Sequence, residues 1–361
     1  MLTPPGDLPE TALAEALAAG WGVRVTALNY LPVGWGSHHW DAVDRDGSRW
    51  FITVDELENK RVRADESLDD GFARLRASLR SAAALRKAGC EFVIAPVAAN
   101  DAEHVLRFGA RFAVAVYRFT EGRTFRWGEW TAEERSGTLR MVTAVHLAPG
   151  WVRADALRED FWVPFRDQLE AAGGGWEPAE CGPYTHAAAR LLREHGAAVR
   201  RQLDQYDRLA DVARARPERY VLTHGEPHPG NTMLTSDGWR LLDWDTAGIA
   251  PPERDLWHLD TGDRSVSAAY AAATGVTPLP ELIELYRMGW DIKDMAYDAA
   301  RFFRPHAESA DDSKTWDGLT SLVRRMDELM ELLSPWHISS LGMECPESGG
   351  CSPTGRRQRS R

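Results

Sequence analysis

The 361 residues suffice for one large domain or two lobes, and a hydrophobic content of 43% can build a full core. A formal net charge of -11 with an isoelectric point near 5.5 argues against a nucleic-acid partner and suits a ligand that carries positive charge. Cys90, Cys181, Cys345 and Cys351 are scattered without a C-x-x-C pair, so neither a zinc-finger pattern nor a disulfide framework is expected.

The opening MLTPPGDLPE shows no basic stretch followed by an apolar one, and no apolar run approaches the ~20 residues of a membrane span. A cytoplasmic protein with no membrane partner is expected. After an N-terminal segment (1–18), short strands broken by turn signals run from Trp21 to Val54: VRVTALNYL, the glycine-bearing loop VGWGSHH, WDAV, the turn DRDG, then SRWFITV. From Glu66 to Ala88 the apolar residues Leu68, Phe72, Leu75, Leu79, Ala82 and Leu85 recur at three- and four-residue steps and stop at Gly89, which predicts a helix. FVIAPV, HVLRF and RFAVAVYRF read as further strands. Residues 19–120 are therefore expected to form an antiparallel sheet carrying one main helix, an α+β lobe.

After the connector TEGRTF the pattern turns helical, with helices expected over Thr131 to Leu147, Tyr184 to Ala213, Pro280 to Phe303 and Ser313 to Leu333, so that 121–336 form a second lobe. The tail 337–361 has few core-forming residues and is expected to be disordered.

One stretch interrupts the helical half: VLTHGEPHPGNTMLTSDGWRLLDWDTAG, from Val221 to Gly248. Asn231 precedes a tight hairpin and Asp243 follows it, so antiparallel pairing returns both oxygen donors to the same end of the ribbon. Such a pair leaves most magnesium positions to water and phosphate oxygens, the usual arrangement for a Mg-nucleotide. Glu226, five residues before Asn231, stands where a carboxylate can accept the proton of an attacking hydroxyl. His224 and His228 read either as a metal pair or as loop hydrogen-bonders, the latter preferred because no further ligand is evident. Asp245 and Asp255 are possible ligands, although Asp255 opens the apolar DLWHL, which suits a capping or loop-tying role.

THGEPHPGN followed by LLDWDTAGIAPPERDL resembles the catalytic and metal-binding segments of the aminoglycoside phosphotransferase family, relatives of the protein kinases, with a flavour of the spectinomycin-type enzymes. The resemblance implies a bilobal protein-kinase-like fold, a small N-lobe that clamps ATP or GTP, and a larger helical C-lobe with the catalytic loop and acceptor site. It implies that Glu226 occupies the base position, that Asn231 and Asp243 hold Mg2+, and that Asp255, with His224, braces the loop. It implies that Gly34, Gly36 and Ser37 in VGWGSHH cover the nucleotide, and that the backbone near Tyr117 and Phe119 meets the base, although ordinary core packing explains those two aromatics equally well.

Two departures stand out. The family's base is an aspartate where this chain has Glu226. The strand SRWFITV places Thr53 where a phosphate-binding lysine is expected, and the helix RLRASLRSAAALR offers no central acid as that lysine's partner. Lys60 lies too far along to occupy the same strand position, though a rearranged ELENKR loop could deliver it or Arg61. The paired loss fits either a lobe rebuilt to hold phosphate differently or one that has lost turnover and survives as a pseudokinase-like binding module. On the acceptor side, Trp290, Asp291, Asp294 and Asp298 recur along YRMGWDIKDMAYDAARFF, either facing a cleft to receive a small cationic hydroxylated substrate, or lying on a solvated face opposite a buried stripe of Ile292, Met295, Ala299 and Phe302. The expected activity is transfer of a nucleotide γ-phosphate to a hydroxyl of an aminoglycoside, aminocyclitol or similar amine.

Overall fold

The computed structural model describes residues 1–126, 128 and 130–332, so the expected disordered tail lies outside the described residues. Helix α1 (Glu10–Trp21) comes first and ends at Gly22, whose left-handed φ of 70° lets its N–H bond back to Ala18 O. The sequence pattern predicts no helix in this segment. Leu13 and Leu17, one turn apart, are fully buried by it against the sheet.

The sheet comprises β1 (Val25–Leu31), β2 (Ser37–Asp44), β3 (Arg49–Glu56), β4 (Leu106–Phe108) and β5 (Phe112–Arg118), antiparallel in the order β1-β2-β3-β5-β4. Alternation along β3 decides what faces where. Trp50, Ile52 and Val54 enter a core with Leu13, Leu17, Trp40, Val114 and Val116. Thr53 and Asp55 lie on the opposite face, paired with the small Ala115 and Ala113 of β5. After β3 the chain makes a 3-10 turn (Leu57–Lys60) and enters α2 (Leu68–Lys87), capped by a reciprocal Ser67–Asp70 box.

FVIAPV was read as a strand of this sheet and is not one. Phe92 O and Ile94 N instead bond Leu241 N and O, at 2.8 and 3.1 Å. At the end of the stretch Val97 N bonds Val116 O of β5 at 2.7 Å, and Pro96 beside it has no N–H with which to extend that pairing.

The second lobe holds β6 (Arg123–Thr124), α3 (Ala132–His146), α4 (Arg166–Gly173), α5 (Thr185–Glu194), α6 (Gly196–Arg214), β7 (Val221–Thr223), β8 (Thr232–Thr235), β9 (Gly238–Leu241), β10 (Gly248–Ala250), α7 (Glu253–Leu256), α8 (Ser265–Thr274), α9 (Pro280–Phe302) and α10 (Ala310–Leu332). The single helix expected over 184–213 is two, broken at His195. The reason is contact with α4: a Cβ on Gly196 would sit 2.1 Å from Gly173 O, so the backbones touch where the helix breaks. Leu192, Leu203, Tyr206, Leu285, Phe302 and Leu319 fill the core of this lobe, and the stripe Ile292, Met295, Ala299 and Phe302 is buried in it. A separate cluster joins the lobes, with Leu75 and Leu79 of α2 packed with Leu241 and Trp244 beside the DWD segment.

Candidate active site

The loop between β7 and β8 is held by one buried carboxylate. Asp255 accepts from His224 N at 2.8 Å, Gly225 N at 2.7 Å and His146 Nε2 at 3.0 Å, and it is wholly inaccessible. Burial works against its charge, but the His146 hydrogen bond and nearby positive groups outweigh it and bring its pKa down to about 2. Gly225 takes φ 104°, and a Cβ there would meet Thr246 Oγ1 at 2.6 Å, so only glycine fits the turn into Glu226. His224 uses both ring nitrogens on backbone: Nε2 donates to Leu242 O at 2.7 Å and Nδ1 accepts from Glu226 N at 3.1 Å. That arrangement leaves it no lone pair for a metal, and burial lowers its pKa to about 4. His228 Nδ1 likewise takes the N–H of Gly230.

The hairpin brings Asn231 and Asp243 to one end. Strands β8 and β9 pair Thr232 with Leu241, and Leu242 N bonds Asn231 O at 2.8 Å, setting the two residues side by side. Asn231 Nδ2 donates to Glu226 O at 3.0 Å, which turns the amide oxygen away from that carbonyl. Asp243 has a left-handed φ of 58°, an uncommon setting for a residue with a Cβ.

Charge is concentrated here. Glu226 is raised to about 7, first by burial and then by Asp245 and Asp294. The Asp243 carboxyl is pushed well up, first by desolvation and then by the like charges of Asp245 and Glu226. Asp245 is also penalised by burial, yet Lys60 more than offsets this and holds its carboxyl below the usual range.

The expected nucleotide-facing residues are distributed unevenly. Gly34 and Gly36 form the turn before β2 with φ of 71° and 86°. The hydroxyl of Ser37 points inward and donates to Asp55 Oδ1 at 2.6 Å. Tyr117 packs half-buried against the interlobe cluster, its hydroxyl raised by burial and then by Asp55, Asp243 and Asp245, which puts it at the cleft. The amide of Phe119 is committed to Arg49 O at 3.1 Å, and the Arg49 guanidinium covers its ring at 3.6 Å.

On α9 the acidic face divides. Asp294 lies within electrostatic reach of Glu226 and is raised to about 7 by burial, Asp298 and Asp291. Asp291 instead pairs with Arg325 of α10 at 3.2 Å. Trp290, one turn before Asp294 on α9, joins the helix to the loop through rings whose grouping the sequence does not indicate: it meets His228, His258 and Trp257 at centroid distances of 6.0, 5.2 and 5.7 Å.

At Lys60 the structure takes the alternative that the sequence leaves open. Lys60 is too far along to stand on the strand itself, and the 3-10 turn after β3, within ELENKR, folds it back into the cleft. There Nζ lies 2.8 Å from Asp55 Oδ1 and 2.6 Å from Asp245 Oδ2. Burial disfavours its charge, and the two carboxylates overcome that and hold the ammonium well above its ordinary range. The clue in the sequence was the pairing of Asp55 with Thr53 on one strand face, five residues before Lys60.

A two-lobed α+β fold with this loop, hairpin and acidic segment defines a kinase-like phosphotransferase. The profile of the Phosphotransferase enzyme family matches residues 41–287, and the chain belongs to that family. Protein StrN of Streptomyces griseus is 32% identical over 246 residues, covering 65% of this chain and 73% of StrN. Among solved structures, a spectinomycin phosphotransferase in complex with ADP and spectinomycin superposes with a TM-score of 0.65 at 16% identity, over 89% of this chain and 98% of that one. A microcompartment-associated aminopropanol kinase gives 0.56 at 15% identity, over 90% and 98%. These structural likenesses support the shared fold. Among the described residues no helix is long and apolar enough to cross a membrane.

Proposed function

We propose that this protein transfers the γ-phosphoryl group of ATP or GTP to a hydroxyl of a small cationic acceptor, an aminoglycoside, an aminocyclitol or a similar hydroxylated amine. The observation that carries the reading is Glu226: a carboxylate fixed by its own backbone N–H to His224, raised to about 7, and joined through its carbonyl to Asn231. A base of that pKa is half ionised near neutral pH and takes up a proton readily.

In this mechanism the acceptor oxygen attacks the γ-phosphorus, the bond from phosphorus to the β,γ-bridging oxygen breaks, and the hydroxyl proton passes to Glu226 while the nucleoside diphosphate leaves. Asn231 Oδ1 and Asp243 are the residues that would hold magnesium. Their surroundings suit a divalent cation, since Asp243, Asp245 and Glu226 crowd one another with Lys60 as the nearby positive charge. With one amide and one carboxylate oxygen donor from the protein, a bound ion would take its remaining ligands from phosphate and water. When bound it neutralises charge on the transferring phosphate. Asp294 and the rings of Trp290, His228 and His258 border the same loop and suit an acceptor with an ammonium group and an apolar ring face. The names of the similar proteins, which include spectinomycin and aminopropanol among their ligands and substrates, support an amine-bearing acceptor.

The test is mass spectrometry of a panel of aminocyclitols, aminoglycosides and amino alcohols incubated with protein, magnesium and ATP or GTP. A gain of one phosphoryl group by a panel member, lost in Glu226→Gln while nucleotide still binds, is the expected outcome. Undiminished turnover in Glu226→Gln would remove Glu226 from the chemistry, and no product from any amine would refute the acceptor class.

A further inference from the structure

Thr53 cannot do the work of the absent strand lysine, since its hydroxyl faces His39 Nδ1 at 3.4 Å. Nor does α2 supply an acid toward the cleft: Ser78 occupies its buried face and donates to Ala247 O at 2.9 Å, tying the helix to the segment just after the DWD run. We propose that Lys60 is the residue that holds the nucleotide's phosphates, delivered by the turn after β3 instead of by the strand, with Asp55 replacing the helix acid as its anchor. The inference rests on the kinase reading and names how that site takes the phosphate chain.

Three independent features support it. The first is placement: Lys60 Nζ bridges Asp55 on the β3 cleft face and Asp245, two residues beyond Asp243, and its charge is felt at both Glu226 and Asp243. An ammonium has three donors, so phosphate oxygens can take the place of Asp245 while Asp55 keeps its hold.

The second is the way α2 grips the turn. A Cβ on Gly71 would come within 3.2 Å of Leu57 O and 3.3 Å of the Lys60 carbonyl carbon, so the helix lies directly on the turn's backbone. Arg74 then donates to Lys60 O at 2.6 Å and to Glu66 at 2.7 Å, and Glu66 accepts from Val62 N at 2.7 Å. The helix that lacks a glutamate for a strand lysine thus fixes the backbone of a loop lysine.

The third is the connection to the glycine-bearing loop. Ser37, directly after Gly36, donates to the same Asp55 oxygen that Lys60 contacts. One carboxylate thereby fixes the lysine and the base of the covering loop together. Among the described residues, Arg61 turns to Glu58 and Ala64 O, Lys293 is 3.5 Å from Glu159, Lys314 lies over the Trp35 ring at 4.6 Å, and Arg254, whose charge also reaches Glu226, is tied to Thr223 Oγ1 and Thr246 O at 2.9 Å each.

The experiment is calorimetric titration of wild type, Lys60→Met, Thr53→Lys/Lys60→Met and Gly71→Ala with adenosine, ADP and a non-hydrolysable ATP analogue, and with the guanine counterparts, all with magnesium. Loss of one charge-assisted contact predicts ADP and ATP-analogue affinity down roughly 10- to 100-fold in Lys60→Met, with nucleoside affinity unchanged. Restoring a lysine on the strand should recover part of that loss. Lys60→Met leaves two carboxylates facing each other, so Gly71→Ala serves as the second variant: it keeps every charge and only displaces the turn, and it should show the same loss confined to phosphorylated ligands. Equal ADP affinity in wild type and Lys60→Met, with wild type an active kinase, would overturn the Lys60 assignment and leave the kinase reading standing. A wild type that binds no nucleotide at all would overturn both.

Discussion

Replacing Asp255 by asparagine tests how the loop between β7 and β8 is held. The carboxylate takes three buried donors, from His224 N, Gly225 N and His146 Nε2. Asparagine offers one oxygen and sets an N–H group against a donor, so at least one charge-assisted bond is lost and one buried N–H loses its partner; such losses cost about 1.5–3 kcal/mol. The acid–base behaviour gives a similar figure: a carboxyl at about 2 in the folded protein against an ordinary value of 3.8 corresponds to about 2.5 kcal/mol. Because the folded value is depressed, this stabilisation is complete above the unfolded pKa and fades as pH falls from about 4 toward 2. Urea unfolding of wild type and Asp255→Asn should therefore differ by about 2.5 kcal/mol at neutral pH, with the gap closing below about pH 4. A difference under about 1 kcal/mol at neutral pH, or one that does not change with acidification, would refute the bracing role.

Further outcomes follow from the same geometry. With Glu226 raised to about 7 and required in its ionised form, turnover should rise through about pH 7 to a plateau, and Asp294→Asn should move that rise to lower pH by removing a like charge; a profile without a limb there would show that another group takes the proton. Glu226→Asp draws the carboxylate back by one methylene and should cost about a hundredfold in turnover with nucleotide affinity held, measured by steady-state rates beside calorimetry. Gly196→Ala puts a methyl 2.1 Å from Gly173 O and should destabilise by about 1–3 kcal/mol in urea unfolding, whereas a neutral result would mean that α5 and α6 separate freely.

Local patterns made much of this legible. The three- and four-residue spacing of Leu75, Leu79, Ala82 and Leu85 gave α2, and alternation gave the strands from Val25 to Glu56. The hairpin between Asn231 and Asp243 was readable because Ser236 and Asp237 form a two-residue turn between paired strands, with Gly238 opposite Thr235, which fixes the register and therefore where the flanking residues return. What failed to show was set by long-range contact. The break at His195 comes from α4 pressing on Gly196, and FVIAPV leaves the sheet because Leu241, far along the chain, takes its backbone bonds. The ring group of Trp257, His258, His228 and Trp290 draws on three separate segments, so no single stretch announced it.

Lys60 makes the sharpest case. Aligning the strands asks which residue stands at position 53, and the answer, threonine, is correct and misleading, because what matters in a cleft is where the charged atom ends, not where its Cα begins. A 3-10 turn after β3 reverses the chain, so that a residue seven positions later points back at the same face as Thr53 and Asp55. The absent glutamate on α2 and the absent strand lysine then cease to be two losses. With the lysine on the turn, an acid at the centre of α2 would face Ala247 O, which Ser78 already satisfies, while Asp55 stands beside the ammonium with Ser37 behind it. On the assignment of Lys60 proposed above, both departures in the N-lobe follow from a single relocation of charge, with the ammonium held between Asp55 and Asp245 at 2.8 and 2.6 Å and its charge reaching Glu226 and Asp243.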